Sequence, residues 1–331
     1  MQSTESKNPA ASPELQPRHP EVASWIDRLA QVAPGDWPAP RSVPVSVLVP
    51  VKNEQGNLPG CLQRLQWASE LIVIDSQSID ATIPIAQAFG ADVYQFYLSS
   101  EGWPKKKNWA LDNVPWANEW VLIVDADEHF TPELAAEIAE IVKRPGGPDG
   151  YWINRRFMFM GQWIRHCGYY PSWNLRLFRH RAGRYERIGG LGQTGSGDNE
   201  VHEHIVLSGG QDAGYLRQEF LHYAYPDITV WVEKHNRYST WEAHAMLAGD
   251  KGGVAPSLFG GPIARRRWLK ARSRNMPFRP LLRFLYAYLW QGGFRDGYAG
   301  YCFCKLLSWY EFLSIIKARE LQLSAKGKLT L

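Results

Sequence analysis

The sequence predicts an α/β fold, a mostly parallel, Rossmann-like sheet flanked by helices, followed by a basic and aromatic helical extension. Between residues 43 and 145, apolar runs of strand length alternate with helical stretches, a pattern typical of a parallel sheet covered on both faces. The 331 residues are 45% hydrophobic and 21% charged, which suffices for a large core and excludes disordered or collagen-like chains. One large domain with appendages, or two modules, is expected.

The elements follow from local patterns. The predicted strands of the first half are 45–51, 71–74, 91–96 and 120–124, and the predicted helices are 58–67, 80–89, 105–114 and 131–143. The last helix has the clearest start, because Thr131 suits the N-cap and Pro132 the first turn. Further strands are predicted near 151–157, 175–178 and 201–207, and helices from about 229.

Charge and cysteine content suggest where the protein works. Residues 1–250 hold 22 basic and 30 acidic residues, whereas residues 251–331 hold 15 and 3, so the C-terminal end is expected to meet an anionic membrane surface or a nucleic acid. The proline-rich residues 1–42 are predicted to be a polar, partly disordered leader without a signal peptide. The four cysteines form neither a CxxC pair nor a disulfide framework, which favours a reducing, cytoplasmic setting.

The C-terminal region, residues 246–331, combines positive charge with aromatic residues. Its basic cluster, which contains no acid between 264 and 283, is Arg265, Arg266, Arg267, Lys270, Arg272, Arg274, Arg279 and Arg283. Leu285, Tyr286, Tyr288, Leu289 and Trp290 follow it. The charge-free stretch 284–294 is far shorter than a membrane-spanning helix. We therefore expect a peripheral anchor on an anionic membrane; the alternative is a solvated basic helix over an aromatic core.

Carboxylates follow the predicted strands. Glu54 follows strand one, Asp75 ends strand two, and Asp125 and Asp127 come after strand four. The carboxyl ends of such strands form the usual ligand site of an open α/β sheet. Asp125 and Asp127 are two residues apart, so in an extended chain both point the same way and offer hard oxygen ligands to Mg²⁺ or Mn²⁺. A cation held in this way suits a diphosphate leaving group, which indicates a nucleotide-diphosphate substrate.

Four segments in this order resemble the signature of family 2 glycosyltransferases with the GT-A fold. They are Val47–Glu54 (VLVPVKNE), Val73–Thr82 (VIDSQSIDAT), Lys107–Leu111 (KNWAL) and Asp125–Glu128 (DADE). The branch resembled includes inner-core lipopolysaccharide β-glucosyltransferases, and the resemblance spans about residues 43–245, divided into a nucleotide-sugar half (43–145) and an acceptor half (146–245). The chain departs from the usual pattern at Gln77, Ile79 and Ala81, where Gly, Thr and Gly are commoner.

The resemblance implies roles for the matching positions. Pro50 and Glu54 would border the nucleoside, Asp75 would recognise the base, expected to be uracil, and Lys107 would flank the nucleotide. Asp125 and Ala126 would contact the nucleotide sugar, Asp127 and Asp125 would bind the metal, and His222 would complete the metal or phosphate shell.

The acceptor side needs a base and anion-binding groups. An inverting transferase requires a carboxylate that takes the acceptor's proton. Glu203, within a segment that resembles the family's Val-His-Glu, is the expected base, with Glu200 the alternative and Asp198 a further candidate. Arg176 and Arg179 are expected to clamp phosphate or an anionic acceptor, because guanidinium forks suit that geometry.

These observations predict an inverting glycosyltransferase that uses a UDP-sugar and a lipid-linked or envelope-glycan acceptor at the inner face of the cell membrane. The alternatives are a nucleotidyltransferase and a nucleic-acid-binding protein; the first would be expected to show a glycine-rich basic loop after strand one, and the basic tail lacks a recognisable RNA motif, so no nucleic-acid partner is expected. The GxGxxG at 190–195 follows no buried strand, fails the context of a dinucleotide fingerprint, and is interpreted as a mobile loop over the acceptor site.

Overall fold

The fold is described from a computed structural model. It covers residues 35–99, 104–186, 204–208, 213–248, 257–259 and 278–328, with Arg265 and Trp268 as single positions. Most of the predicted leader, the loop at 190–195, the start of the strand predicted at 201–207, and most of the basic cluster lie outside these residues.

The first half alternates strands and helices as predicted. Its elements are β1 (Val43–Val51), α1 (Leu58–Gln63), β2 (Ala68–Asp75), α2 (Thr82–Ala88), β3 (Asp92–Gln95), α3 (Lys106–Asn113), β4 (Trp120–Ile123), β5 (Glu128–His129) and α4 (Pro132–Lys143). Thr131 caps α4, because its hydroxyl accepts a hydrogen bond from the backbone N–H of Leu134.

The second half is richer in strands than the sequence suggested. It comprises β6 (Gly150–Phe159), β7 (Gln162–Trp163), β8 (Trp173–Arg179), β9 (Gly183–Tyr185), β10 (Ile205–Leu207), β11 (Gly214–His222), α5 (Ile228–Ala248), α6 (Arg279–Leu285) and α7 (Gly297–Ala325). A π-helical turn at Tyr286–Trp290 continues α6, and a 3₁₀ turn at Gly293–Asp296 precedes α7. β11 has no counterpart among the predicted strands, because its sequence, GYLRQEFLH, lacks an apolar run.

The main sheet has the order β3-β2-β1-β4-β8-β6-β11-β5. The pairs among β1 to β4 are parallel, whereas β8 lies antiparallel between β4 and β6. The predicted α/β class with a C-terminal helical extension is therefore confirmed, and the antiparallel β8 joins the two halves of the sheet.

Helices cover both faces of the parallel strands. Val45, Val47 and Val49 of β1 belong to a core with α1 and α4, while Leu48 points into a second core with α3. This double burial explains why the strands read as continuous apolar runs.

The C-terminal helices pack on the acceptor half. A third core joins Phe157 of β6, Trp231 of α5 and Phe303 of α7; the Phe303 ring lies 5.0 Å from that of Phe157 and 4.6 Å from that of Tyr169. The outer side of this region exposes a row of large apolar side chains. Within the described residues, no helix combines the length and the hydropathy that crossing a bilayer would take.

Candidate active site

The carboxyl ends of β1, β2 and β4 meet at one edge of the sheet. Val51 of β1 pairs with Asp75 of β2, and Leu48 pairs with Ile123 of β4. The acidic residues that follow these strands consequently reach the same edge, as the parallel topology requires.

A cavity of about 550 Å³ opens at this edge and extends into the acceptor half. Of the residues predicted from the sequence, it is lined by Pro50, Glu54, Lys107, Asp125, Ala126, Asp127, Arg176 and His222. Asp75 and Arg179 do not line it. The two halves of the chain therefore contribute to one concave site, the usual form of a ligand pocket.

Asp125 is held by two cations. Its Oδ1 lies 3.0 Å from the Lys107 Nζ, and its Oδ2 accepts a hydrogen bond of 2.7 Å from the Arg176 guanidinium. Burial would raise the pKa of Asp125, but the charges of Arg176 and Lys107 outweigh it and hold the pKa well below its ordinary value. Both carboxylate oxygens of Asp125 therefore have a cationic partner in the protein, and its expected metal role stays a prediction.

Arg176 also binds Glu128, which lies at the start of β5 behind the cavity. The Arg176 guanidinium donates to both Glu128 and Asp125, and Glu128 accepts from the backbone N–H of Asp125 at 3.0 Å. Burial raises the pKa of Glu128, although the charge of Arg176 opposes the shift. Arg176 thus pairs with two carboxylates of the 125–128 turn at the cavity wall, and its expected role as a clamp for phosphate or an anionic acceptor stays a prediction.

Asp127 faces the second half of the chain. Its Oδ1 lies 3.5 Å from His222 Nε2 and its Oδ2 lies 3.9 Å from the Lys234 Nζ. Burial acts to raise the pKa of Asp127, but His222 outweighs it and the pKa falls below its ordinary value. The Asp127 carbonyl accepts the backbone N–H of Tyr223 at 2.8 Å, which fixes the turn against the end of β11.

Asp127 and His222 fit a divalent cation. Two ligands on adjacent corners of an octahedron with bonds of about 2.1 Å lie roughly 3 Å apart, close to the 3.5 Å observed. The other ring nitrogen of His222, Nδ1, is buried without a hydrogen-bond partner in the described part of the chain. Among the residues that the structure describes, no cluster of three or more His, Cys, Asp or Glu forms a metal cage, so a cation here would take its other ligands from water and substrate.

Glu54 and Asp75 shape the loops around the cavity. Burial raises the pKa of Glu54, whose Oε2 accepts a 2.8 Å hydrogen bond from Asn57. Asp75 is fully buried and accepts from the backbone N–H of Ser78 and from Gln95, both at 2.9 Å. Its carboxylate therefore ties down the loop after β2. Gln77 in this loop has φ of 54°, in the left-handed region that favours glycine. This backbone conformation gives a reason why glycine is commoner at this position.

Arg179 points away from the cavity. It pairs with Glu119 and Asp149, and its guanidinium lies 4.7 Å from the centre of the Trp120 ring. Arg179 therefore forms no part of the predicted clamp. The expected base Glu203 and its alternatives Glu200 and Asp198 lie outside the described residues.

Several cavity residues were missed by sequence reasoning. They include Trp152, Arg155, Trp173, Tyr225 and Lys234. They lie on β6, β8 and α5 and, for Tyr225, in the loop between β11 and α5, where no motif distinguishes them from ordinary core or surface positions. Only their spatial convergence identifies them.

Comparison with known proteins gives a family and several relatives. Residues 46–197 match the model of glycosyl transferase family 2. The chain is 27% identical to the lipopolysaccharide core biosynthesis glycosyltransferase LpsC of Rhizobium meliloti, over 83% of this chain and 92% of the relative. It is 23% identical to an uncharacterized glycosyltransferase of Rickettsia typhi, over 86% and 89%.

Solved structures with detectable similarity include two bacterial proteins. Staphylococcus aureus TarS (residues 1–349) has a TM-score of 0.37 and 15% identity, covering 86% of this chain and 92% of TarS. The glucosyl-3-phosphoglycerate synthase of Mycobacterium tuberculosis, solved with Mn²⁺ and UDP, has a TM-score of 0.27 and 17% identity, covering 45% and 50%.

The pairing of Arg176 yields a stability prediction. Arg176→Met leaves Asp125 and Glu128 as neighbouring buried carboxylates, and should lower the free energy of unfolding by about 3–5 kcal/mol at pH 7. Without the guanidinium, burial and the neighbouring Asp125 hold the folded-state pKa of Glu128 further above its unfolded value, whereas Lys107 still pairs with Asp125. The ionised Glu128 then opposes folding, and its protonation removes that penalty. The difference in the free energy of unfolding between wild type and variant should therefore shrink as the pH falls toward 4.5, the ordinary pKa of a glutamate such as Glu128.

Urea unfolding at several pH values measures this. Arg144→Met is the matched control, because Arg144 pairs with Glu140 where both side chains are 65% or more exposed, and its loss should cost under about 1 kcal/mol. Equal losses for the two variants, or a deficit that is independent of pH, would contradict the assignment.

Proposed function

The chain carries a glycosyl transferase family 2 domain in residues 46–197, and we propose that this glycosyltransferase moves a sugar from UDP to a lipopolysaccharide-type acceptor with inversion. The match confirms the predicted enzyme class and decides against the nucleotidyltransferase alternative. The observation that carries the proposal is the cavity in which Asp127 and His222 face each other beside Lys107 and Arg176.

The donor would lie at the carboxyl edge of the parallel strands. Pro50, Glu54 and Lys107 border the part of the cavity nearest β1 and α3, where the nucleotide would bind with its diphosphate toward Asp127. The Lys107 and Lys234 ammonium groups are each within 4.0 Å of a cavity carboxylate, and would also face the diphosphate. Such fixed positive groups stabilise negative charge that develops as a leaving group departs.

Asp127 and His222 would hold Mg²⁺ or Mn²⁺. The metal, when bound, supplies charge neutralisation to the departing diphosphate. The protein's part is to keep the Asp127 carboxylate ionised, which its lowered pKa ensures, and to keep His222 oriented through the pairing of β11 with β5. Asp125, neutralised by Lys107 and Arg176, would contribute to the ribose side instead.

The acceptor's proton would pass to Glu203, with Glu200 as the alternative base. Support comes from the residues on either side of this segment: Tyr185 and His204 both line the cavity. An inverting transfer needs such a carboxylate to take the proton of the acceptor hydroxyl.

The acceptor class rests on the relative that acts in lipopolysaccharide core biosynthesis and on the apolar surface of the C-terminal helices. Exposed side chains of α6 and the following π-helical turn include Leu281, Leu282, Leu285, Tyr286, Leu289 and Trp290, the last with 81% exposure. Arg283 lies on the same element. Apolar side chains beside basic ones suit an anionic bilayer, and a protein docked there on the inner face of the membrane would meet a lipid-linked acceptor.

The metal site is tested with Asp127→Ala. Loss of this ligand should reduce sugar transfer by about a hundredfold or more and should weaken Mn²⁺ binding, which electron paramagnetic resonance measures directly. Asp112→Ala removes a carboxylate outside the cavity and should change neither quantity. Retained Mn²⁺-dependent transfer in Asp127→Ala would show that the metal is bound elsewhere.

The base is tested with Glu203→Gln. The amide cannot accept the proton, so kcat should fall by about 10²–10⁴-fold, while calorimetry should show unchanged donor binding. Glu200→Gln is made in parallel as the matched variant. Full activity of Glu203→Gln with loss of activity in Glu200→Gln would move the role to Glu200.

Membrane docking is tested with the double variant Leu289→Ser/Trp290→Ser. Removing two exposed apolar side chains should reduce pelleting with phosphatidylcholine–phosphatidylglycerol vesicles by at least about tenfold, because each buried side chain contributes roughly 1.5–3 kcal/mol. Tyr97→Ser, which changes a 70% exposed ring of the first half, is the control. Equal pelleting of both variants, or RNA binding without vesicle binding, would contradict the docking surface.

A further inference from the structure

The cavity has a second end, away from the residues proposed to hold the donor and the metal. Trp152 of β6 and Trp173 of β8 line it, together with Arg155 and Ser172. Trp173 and Arg176 are three residues apart on β8, about 10 Å along the strand. This end therefore lies beyond the charged residues around Asp125.

Trp152 and Trp173, which line this end, are in contact with a third ring, that of Tyr215, which lies outside the cavity lining. The Tyr215 ring lies 6.5 Å from that of Trp152 and nearly parallel to it, and 5.0 Å from that of Trp173 at an interplanar angle of 85°. The strand register produces the cluster, because Tyr215 of β11 pairs with Trp152, and Trp173 of β8 pairs with Asn154 of β6. Trp173 is 40% exposed and Tyr215 is 62% exposed, so ring surface is open to solvent.

Contacts among the three rings do not account for the solvent exposure of Trp173 and Tyr215. Trp and Tyr rings combine a large apolar face with one polar group, so they bind well to partners that have both an apolar face and solvent-exposed polar groups. A sugar ring has this character, since its C–H groups form an apolar face and its hydroxyls form a polar rim. Because neighbouring rings restrict one another's rotamers, they lose little further conformational entropy when a ligand binds.

Arg155 is the cation of this end. It is half-buried, and its Nε donates a 2.9 Å hydrogen bond to the Ser172 hydroxyl. The cavity's other Lys and Arg side chains all pair with acids: Lys107 and Arg176 with Asp125, and Lys234 with Asp127. Over the residues that the structure describes, Arg155 forms no ion pair, whereas its neighbour Arg156 pairs with Glu219.

A half-buried guanidinium without a carboxylate is held at a cost, because burial disfavours an uncompensated charge. An anionic ligand would remove that cost. The planar fork of Arg binds carboxylate and phosphate through paired hydrogen bonds. Ser172 binds the guanidinium through Nε, and the described residues show no hydrogen bond to its two terminal nitrogens, which could therefore bind a ligand.

We propose that Trp152, Trp173, Tyr215 and Arg155 form the acceptor subsite, which binds a sugar ring that carries a carboxylate or phosphate group. The sugar stacks on the aromatic platform, and its anionic group pairs with Arg155. This inference rests on the proposed function, because it assigns the acceptor side of the same cavity. Arg155 is a specificity-determining residue and takes no part in the bond-forming step.

The test uses the full-length protein with Mn²⁺ and the UDP-sugar that it accepts. The anionic probe is a deacylated lipopolysaccharide core oligosaccharide with its phosphates and carboxylates intact. The neutral probe is the same oligosaccharide after dephosphorylation with hydrofluoric acid and amidation of its carboxyls. The variants are Arg155→Gln, Arg155→Lys and, as a control, Arg181→Gln, which removes an exposed guanidinium outside the cavity.

Arg155→Gln should raise the KM for the anionic probe by about tenfold to a hundredfold, the effect of losing a hydrogen bond to a charged group. Its KM for the neutral probe, its KM for the donor and its rate of donor hydrolysis without acceptor should stay unchanged. Arg155→Lys should restore part of the discrimination, since the charge remains without the fork. Arg181→Gln should match the wild type.

Trp173→Ala tests the platform separately. It should raise the KM for both probes together, with donor hydrolysis unchanged, because stacking does not depend on the anionic group. Wild-type protein that uses both probes with the same KM, or Arg155→Gln that affects both equally, would overturn the subsite while leaving the proposed function intact. Donor hydrolysis without transfer to, or binding of, either probe would overturn both the acceptor class and the subsite.

Discussion

The neutralisation of buried carboxylates at the end of β4 is the constraint on which the site depends. Asp125 and Glu128 lie within one turn and would repel each other without the guanidinium of Arg176 between them. That guanidinium comes from β8, so the antiparallel strand supplies the charge that compensates the two carboxylates of the turn. Removing one partner of such a buried group leaves an uncompensated charge, which costs far more than an exposed ion pair.

This arrangement divides the work between two neighbouring aspartates. Asp125 is bound by cations of the protein, and Asp127 is directed toward His222 and Lys234 of the second half. The turn thereby directs one carboxylate toward His222, where a metal is proposed to bind, and keeps the other paired in the cavity wall. The two aspartates are only two residues apart, but their partners differ because Lys107 and Arg176 contact only Asp125.

The second half of the chain completes the cavity and carries the C-terminal helices. Phe157 and Phe159 at the end of β6 pack on Phe303 of α7, while Trp152 and Arg155 earlier in the same strand line the cavity. One strand therefore contacts both the proposed acceptor subsite and the helices whose outer face exposes Trp290. A lipid-linked acceptor would reach the cavity from this side, which gives a structural reason for the proposed docking surface to lie there.

The sequence by itself determined the strands and helices of the first half and the positions of Glu54, Asp75, Asp125 and Asp127 after those strands, because burial on both faces leaves continuous apolar runs that end where the chain turns. It also placed His222, through resemblance to a family. It could not choose between Arg176 and Arg179, which differ only in position along one strand. Only the tertiary structure directed Arg176 to Asp125 and Arg179 to Glu119 and Asp149, and it alone brought Lys234, Trp173 and Arg155 to the same cavity. The physical reason is that hydrophobic periodicity records whether a residue is buried, whereas the partners of a side chain depend on strand order, which arises from contacts between segments distant in the chain.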